Sequence, residues 1–523
     1  MKKILKENLF IIIILLIVCT IFLYQIQKKG FHEDEVYTIA SSVNPYNGLM
    51  VAYENNEVPA EGGIPQWKTR EYVQKYMTLT PDNYLNIKSI YTNQIKDNHP
   101  PLFYILTHFT TILFGGVFTK YTIFVINIIA FILSCFVIKK FLELIDKENL
   151  AIPTIIFYGL SMGTISMVLY QRMYMLLTLF ILLYFYYSIK IYKDDFNLNF
   201  KTITALGIIT VLGFLTQYFF AIFAGIIFIM MIIKMVKDKK YKVILKYTLA
   251  HIIYAGIGIL MFPHSINHLL YSNRGISNLS NSNYIEHFIT YLKELAYSFS
   301  LNDNIVIITI TTLLFLAGII YCYKKSNNKF IIVTLILPSI IFFLISVKLT
   351  SYQKLRYIMP IIPFIAIMLF IILDNLIHTK YKNIIITLIA IILVIPGIVV
   401  SKPRFLFEEY NNHIRIAEEN KDKCFIYVYD NFFNHMKSVP EMMIYEKTLI
   451  LNYNLNELEL LTQNKELEKE ESFVLCIKSY MDTEKIIEDI KSKTGFNNVE
   501  TLYIGDYGDS DKFVENNLYL VRK

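Results

Sequence analysis

Apolar residues in this chain neither alternate nor scatter. They gather into blocks of about 16 to 22, close to the ~20 residues a helix needs to cross ~30 Å of hydrocarbon. The first block, 9–24, follows Lys2, Lys3 and Lys6 and runs into Gln25-Ile26-Gln27-Lys28-Lys29. No small-residue cleavage site follows, so the pattern predicts a retained helix and not a removed signal. Further blocks at 121–138, 151–169, 172–189, 202–216, 218–233, 243–263, 304–323, 330–347, 357–377 and 383–401 predict ten more spans. Beyond residue 401 the pattern shortens. Cys424–Tyr429, Thr448–Asn452, Phe473–Ile477, Val499–Ile504 and Asn517–Val521 predict strands, and 431–445, 454–464 and 482–493 predict helices between them. Strands interleaved with helices imply an α/β layer with a largely parallel sheet. The expected architecture is an all-α polytopic membrane domain of eleven or twelve spans over 1–401, then a water-soluble α/β domain over 402–523, the tail.

Composition and charge sharpen this division. Of 523 residues 54% are hydrophobic and 18% charged, and the mean hydropathy is +0.44, which excludes a disordered chain, a collagen-like rod and a small disulfide scaffold. Residues 1–401 hold 34 Lys and Arg against 20 Asp and Glu, whereas the tail holds 16 against 23. The basic excess lies in alternate joints between spans: Lys139-Lys140 with Lys147, Lys190 with Lys193 and Lys201, 234–242, Lys324-Lys325 with Lys329, and Lys380 with Lys382. Loops of that kind stay cytoplasmic, so the charge does not argue for nucleic acid. With the N-terminus inside, all five joints fall on the cytoplasmic side only if Pro100–Gly116 lies in the interface or re-enters without crossing. The loop 25–120, the loop 264–303, the turn near Lys348–Arg356 and the tail then lie outside. The five cysteines show no CxxC or Cys/His metal spacing, and the tail has no Gly-rich phosphate loop.

Ionisable residues at membrane level are the candidates for chemistry, because charge there is costly. Glu33-Asp34-Glu35 follows the first span; such a run is equally common in a solvated loop, but a carboxylate in a partly dry cleft can accept a proton from an attacking hydroxyl. Asp97 and His99 precede Pro100-Pro101, which permit a helix start; there a structural hydrogen bond is the commoner role for a histidine. Tyr170-Gln171-Arg172-Met173-Tyr174 separates two apolar runs, and Tyr352-Gln353-Lys354-Leu355-Arg356-Tyr357 places two cations where the charge rule does not want them. Each cation can snorkel to lipid headgroups or grip a substrate phosphate, the task suited to a planar guanidinium. Gln217-Tyr218 is a further polar break.

These blocks, in this order, resemble the integral-membrane glycosyltransferases of the GT-C fold, above all the protein mannosyltransferases and their aminoarabinose-transferase relatives. The matching stretches are Asp34-Glu35, Asp97 to Leu102, Arg172 to Tyr174 and Arg356 to Pro363, while Gln171 departs from the relatives' pattern. The resemblance covers residues 1 to about 400 and implies transfer of a sugar from a polyprenyl phosphate to a lipid, glycan or protein acceptor on the extracytoplasmic side. It implies Asp34 and Glu35 as the catalytic carboxylates, with Asp34 the general base of an inverting displacement, and Arg172, Lys354 and Arg356 as holders of the donor phosphate. Asp97, His99, Tyr174, Gln217, Tyr218 and Tyr357 are the residues expected to line the substrate cleft. Some members use a divalent cation; no other cofactor is implied. The same spans and embedded charges also suit a secondary transporter or a lipid-carrier flippase or glycan ligase.

Overall fold

The computed structural model describes residues 2–45, 66–271, 283–301, 303–350, 353–430, 432–462, 464–505 and 515–523. Parts of the expected outer loops, Tyr352, and Asn431 and Gln463 of two expected tail helices lie outside these residues. The chain divides into two compact units. A helical unit comprises Met1–Phe22, Gln94–Phe103 and Phe124–Pro403, and a sheet unit comprises Leu23–Asn93, Tyr104–Ile123 and Arg404–Lys523.

The long helices match the apolar blocks. Among the described residues nine are long and apolar enough to cross a membrane: Lys6–Gln27, Thr122–Leu144, Tyr174–Lys193, Phe219–Lys237, Tyr241–Met261, Ile305–Lys325, Lys329–Leu349, Met359–Leu376 and Lys382–Val400. The first belongs to α1 (Lys2–Gln27). The block at 151–169 is a pair of helices, Glu148–Leu160 and Met162–Leu169, bent by 61°. Ser161 makes the bend: its backbone is extended and its Oγ accepts from the Thr164 amide at 3.3 Å, capping the second piece. The block at 202–216 is a 17-residue helix, Phe200–Thr216, that ends where Gln217 turns extended. Close packing selects Gly163, where a Cβ would sit 2.6 Å from that of Ser298. Leu314 of Ile305–Lys325 stands 69% exposed in a helix with only 11% of its span buried, a surface that water would not tolerate and lipid tails would. The chain is a multi-pass membrane protein. The segment expected to lie in the interface holds a 12-residue helix, Leu102–Leu113.

The sheet unit is built on six strands in the order β1-β3-β2-β4-β6-β5. They are β1 (Lys68–Thr69), β2 (Cys424–Tyr429), β3 (Lys447–Asn452), β4 (Ser472–Lys478), β5 (Asn498–Tyr503) and β6 (Asn516–Arg522). Every residue of β2 is buried, as expected for a central strand covered on both faces; Ile426 aligns with Leu449 on one side and Leu475 on the other. The sheet is mixed and not largely parallel. β2 pairs parallel with β3 and β4, whose connections run through helical turns, whereas the successive strands β5 and β6 pair antiparallel, as do β4 with β6 and β1 with β3. The expected helix 482–493 is Thr483–Thr494, capped by Asp482. Those at 431–445 and 454–464 are mostly short 3-10 turns: Pro440 sits in the first stretch, and Asn456, left-handed at φ 56, breaks the second. The first loop enters this unit directly. β1 extends the sheet, Arg70 Nη2 donates to the Lys421 carbonyl at 2.5 Å, and Trp67 Nε1 donates to Asn464 Oδ1 at 3.2 Å.

Candidate functional site

In the sheet unit the three adjacent acids occupy the first turn of α2 (Glu33–Val43), and each has a different task. Glu35 closes a capping box: its carboxylate accepts from the His32 amide at 2.7 Å, while His32 Nδ1 accepts from the Asp34 amide at 3.1 Å. The same carboxylate, wholly buried, takes an ion pair from Lys28 at 3.0 Å. Lys28 Nζ also donates to the Phe405 carbonyl at 2.7 Å. Because Nδ1 of His32 accepts, its proton sits on Nε2, 3.4 Å from Glu33 Oε1. Burial works to raise the Glu33 carboxyl, but the neighbouring His32 and the Lys437 ammonium outweigh it and hold Glu33 below its ordinary range. Asp34 keeps 21% of its side chain exposed at the N-terminus of α2, where the helix dipole favours its charge.

The helical unit holds the other candidates, and it places them at helix breaks. Between Leu169 and Tyr174 the chain unwinds, and Asn127 braces the gap by donating from Nδ2 to the carbonyls of Val168 at 3.2 Å and Tyr170 at 2.8 Å. Arg172 stands in that gap, 3% exposed. Its Nη2 donates to His99 Nε2 at 3.1 Å, and His99 Nδ1 meets Asp97 Oδ2 at 2.9 Å. Arginine only donates, so Nε2 of His99 must accept and Nδ1 must carry the proton given to Asp97. Burial works to raise the Asp97 carboxyl, yet His99 and the Arg172 guanidinium hold it well below the usual carboxylate range.

Arg356, 9% exposed, lies in the short turn Leu355–Tyr357. Its Nη1 donates to the Tyr170 hydroxyl at 2.6 Å, and its guanidinium carbon stands 5.4 Å from the ring of Tyr357, within cation–π range. Tyr174 stacks on Tyr170 at 5.9 Å and meets Tyr357 edge-on at 6.1 Å. Lys354, half-buried, precedes the same turn. At the break after Thr216, Gln217 Oε1 accepts from the Tyr218 amide at 2.6 Å, and the Tyr218 hydroxyl meets His268 Nδ1 at 2.9 Å.

Nine of the eleven expected site residues thus share the helical unit, and its interactions join Asp97, His99 and Arg172 in one group and Tyr170, Tyr174, Arg356 and Tyr357 in another. Asp34 and Glu35 belong to the sheet unit. Lys28, Asn127 and His268 are not singled out in the sequence. A lone asparagine in a 23-residue apolar helix was the available signal for Asn127; nothing comparable marks the other two. Among the described residues no group of three or more His, Cys, Asp and Glu side chains is arranged to hold a metal ion.

No family model matches the chain, and no curated protein matches it in sequence. In structure it is similar to ArnT from Cupriavidus metallidurans bound to undecaprenyl phosphate, with a TM-score of 0.54 at 9% identity, covering 98% of this chain and 97% of that one. Against the same protein in the apo state the TM-score is 0.52 at 8% identity, with 98% of each chain covered. At such identity the likeness is one of fold: the chain has the GT-C architecture that its motifs resemble.

Proposed function

We propose that this protein transfers a glycosyl group from a polyprenyl-phosphate-linked donor to an acceptor on the extracytoplasmic face. The observation that carries the proposal is the state of Arg172. A guanidinium 3% exposed in a helix break must be compensated, and this one is aimed by the Asp97–His99 pair in a chain whose fold is that of a protein crystallised with undecaprenyl phosphate. Arg356, steered by Tyr170 and Tyr357, is the second phosphate-holding cation, and Lys354 the third. In the reaction an acceptor hydroxyl attacks the anomeric carbon, Asp34 takes its proton, and the bond to the phosphate oxygen breaks with its electron pair leaving on the phosphate. A phosphate leaving group needs cations rather than a strong acid. One base and direct displacement give inversion. Glu35, committed to Lys28 and the His32 amide, holds Asp34 in place. The N-terminus is cytoplasmic in this proposal, and α2 and the tail are extracytoplasmic.

The test uses the full-length protein in nanodiscs without any gradient, given undecaprenyl-phosphate-linked radiolabelled pentoses and hexoses. Label leaving the lipid, to water or to an acceptor, is the expected result. Binding of solutes with no chemical change, and activity only under a gradient, would overturn it in favour of a transporter.

A further inference from the structure

Within the sheet unit α2 packs against the turn Phe432–Ser438, which follows the central strand β2. After β2 the chain passes to β3 on one side, and β4 then returns to the other. Chemistry in open sheets collects at the carboxyl ends of parallel strands where connections diverge in this way. From the turn after β2 comes Lys437, only 1% exposed, its ammonium 4.8 Å from the centroid of the Phe407 ring. The ammonium of Lys28 lies 5.4 Å from the centroid of the same ring. Two buried ammonium groups on one phenyl ring both require anions. Lys28 has Glu35, and Lys437 acts on Glu33.

The ring between them is held under strain. Phe407 and Phe405 have φ of 49 and 68, left-handed values that are strained for bulky side chains and persist only where the surroundings over-determine them. Those surroundings are the exit of α1. The Phe405 carbonyl accepts from Lys28 Nζ at 2.7 Å, and the Leu406 carbonyl accepts from the Lys29 amide at 2.8 Å. A Cβ at Gly30 would lie 2.9 Å from that of Phe407, so the approach needs the glycine.

We infer that Lys437 is a positioning residue for the acidic turn: with the strained Phe405–Phe407 segment it fixes the first turn of α2, so that the tail sets the orientation of the acids within the sheet unit. The inference rests on the reading of Asp34 as the base. Among the described residues, the charged and titratable groups that act on that turn include His32, Glu33, Asp34 and Glu35 on its own element, Lys28 after α1, Lys437 from the turn after β2, and the Tyr427 hydroxyl of β2, on which the Glu33 charge acts. Removing a cation from such a set raises the carboxyls nearest to it.

The experiment compares Lys437→Met and Lys437→Arg in full-length protein in nanodiscs. One readout is the pH midpoint of carbodiimide labelling at Glu33 and Asp34, followed by peptide mass spectrometry. The other is the acid limb of kcat/KM for release of label from an undecaprenyl-phosphate-linked sugar. Lys437→Met should move both to higher pH by ~1 unit and lower kcat roughly tenfold, leaving affinity for undecaprenyl phosphate unchanged, and Lys437→Arg should restore both. Unmoved midpoints, with any activity loss tracking thermal stability alone, overturn the inference. If Lys437→Met does not assemble, Phe407→Leu, which keeps both charges but loosens the ring, should move the same limb by less; no movement there is equally fatal. Full activity of Asp34→Asn alongside a shifted Glu33 midpoint would remove the base and spare the positioning role, and an inactive Asp34→Asn with unshifted Lys437→Met midpoints would do the reverse.

Discussion

The two units hold their charges by opposite means. In the sheet unit the acids lie within three residues of one another at the start of α2, and the cap that orders them is local: His32 and Glu35 satisfy each other's backbone amides. In the helical unit the cations come from breaks far apart in sequence, and what holds them is distant: Arg172 meets His99 across 73 residues, and Arg356 meets Tyr170 across 186. The cap's own hydrogen bonds span only three residues, and the Lys28 ion pair and the tail segment at Phe405 steady its carboxylates from outside. A guanidinium held across a bundle reports every shift of its helices. The difference suits the proposed chemistry, in which the base must keep one orientation toward a proton while the cations follow a phosphate whose charge grows as the sugar leaves.

The strongest test of the acid side is Asp34→Asn. It keeps the side-chain shape and the cap, because the capping groups are His32 and Glu35, and it removes only the proton acceptor. Turnover should fall by roughly 100-fold or more, with affinity for undecaprenyl phosphate little changed, since a base acts chiefly in the transition state. Full turnover in this variant would take Asp34 out of the mechanism. The cation side should respond less steeply. Loss of one charged hydrogen-bonding partner is worth about 1.5–3 kcal/mol, so Arg172→Ala and Arg356→Ala should each lower kcat/KM by roughly 10- to 100-fold. Lysine should rescue either position only in part, because it keeps the charge and loses the planar fork. Were both alanine variants fully active, the donor-phosphate roles would fall, and with them the contrast between the units.

The sequence shows the two sides unequally for the same reason. Apolar blocks of membrane length and buried runs such as Cys424–Tyr429 announce themselves because burial acts on every residue of the element. The acidic turn is legible too, its three carboxylates being adjacent. What it does not disclose is the division of labour among them, since the partner that commits Glu35 to structure is Lys28, whose own surroundings include Phe405 from the far end of the chain. β1 is invisible for a similar reason: two residues, Lys68 and Thr69, carry no period and become a strand only because β3 offers an edge. Arg356 stands out as a misplaced cation and Arg172 as a cation between two apolar runs, but which tyrosine Arg356 meets, and that Asn127 braces the break around Arg172, depend on contacts between segments far apart in the chain. The 61° bend at Ser161 is also hidden, because hydropathy runs through it uninterrupted.

The smallest expected effect separates the Asp97–His99 pair from the arginine it aims. His99→Ala leaves the Arg172 charge in place and removes both the acceptor at Nε2 and the Nδ1 donor to Asp97, so kcat should fall roughly three- to tenfold, about the worth of one ordinary hydrogen bond to Arg172, with the affinity for undecaprenyl phosphate changing less. His99→Gln can offer Arg172 an amide oxygen and should recover part of the loss. The pH dependence follows from Asp97. A carboxyl held below its ordinary range contributes its interaction fully above the unfolded value near 4 and loses it only as pH falls through the lower folded value. Over pH 5 to 8, then, Asp97 should keep its charge, and carbodiimide labelling at Asp97 should not change across that range. Labelling that rises between pH 7 and 5 would mean that the charge behind His99 is lost there, and the long-range half of the contrast would lose its support.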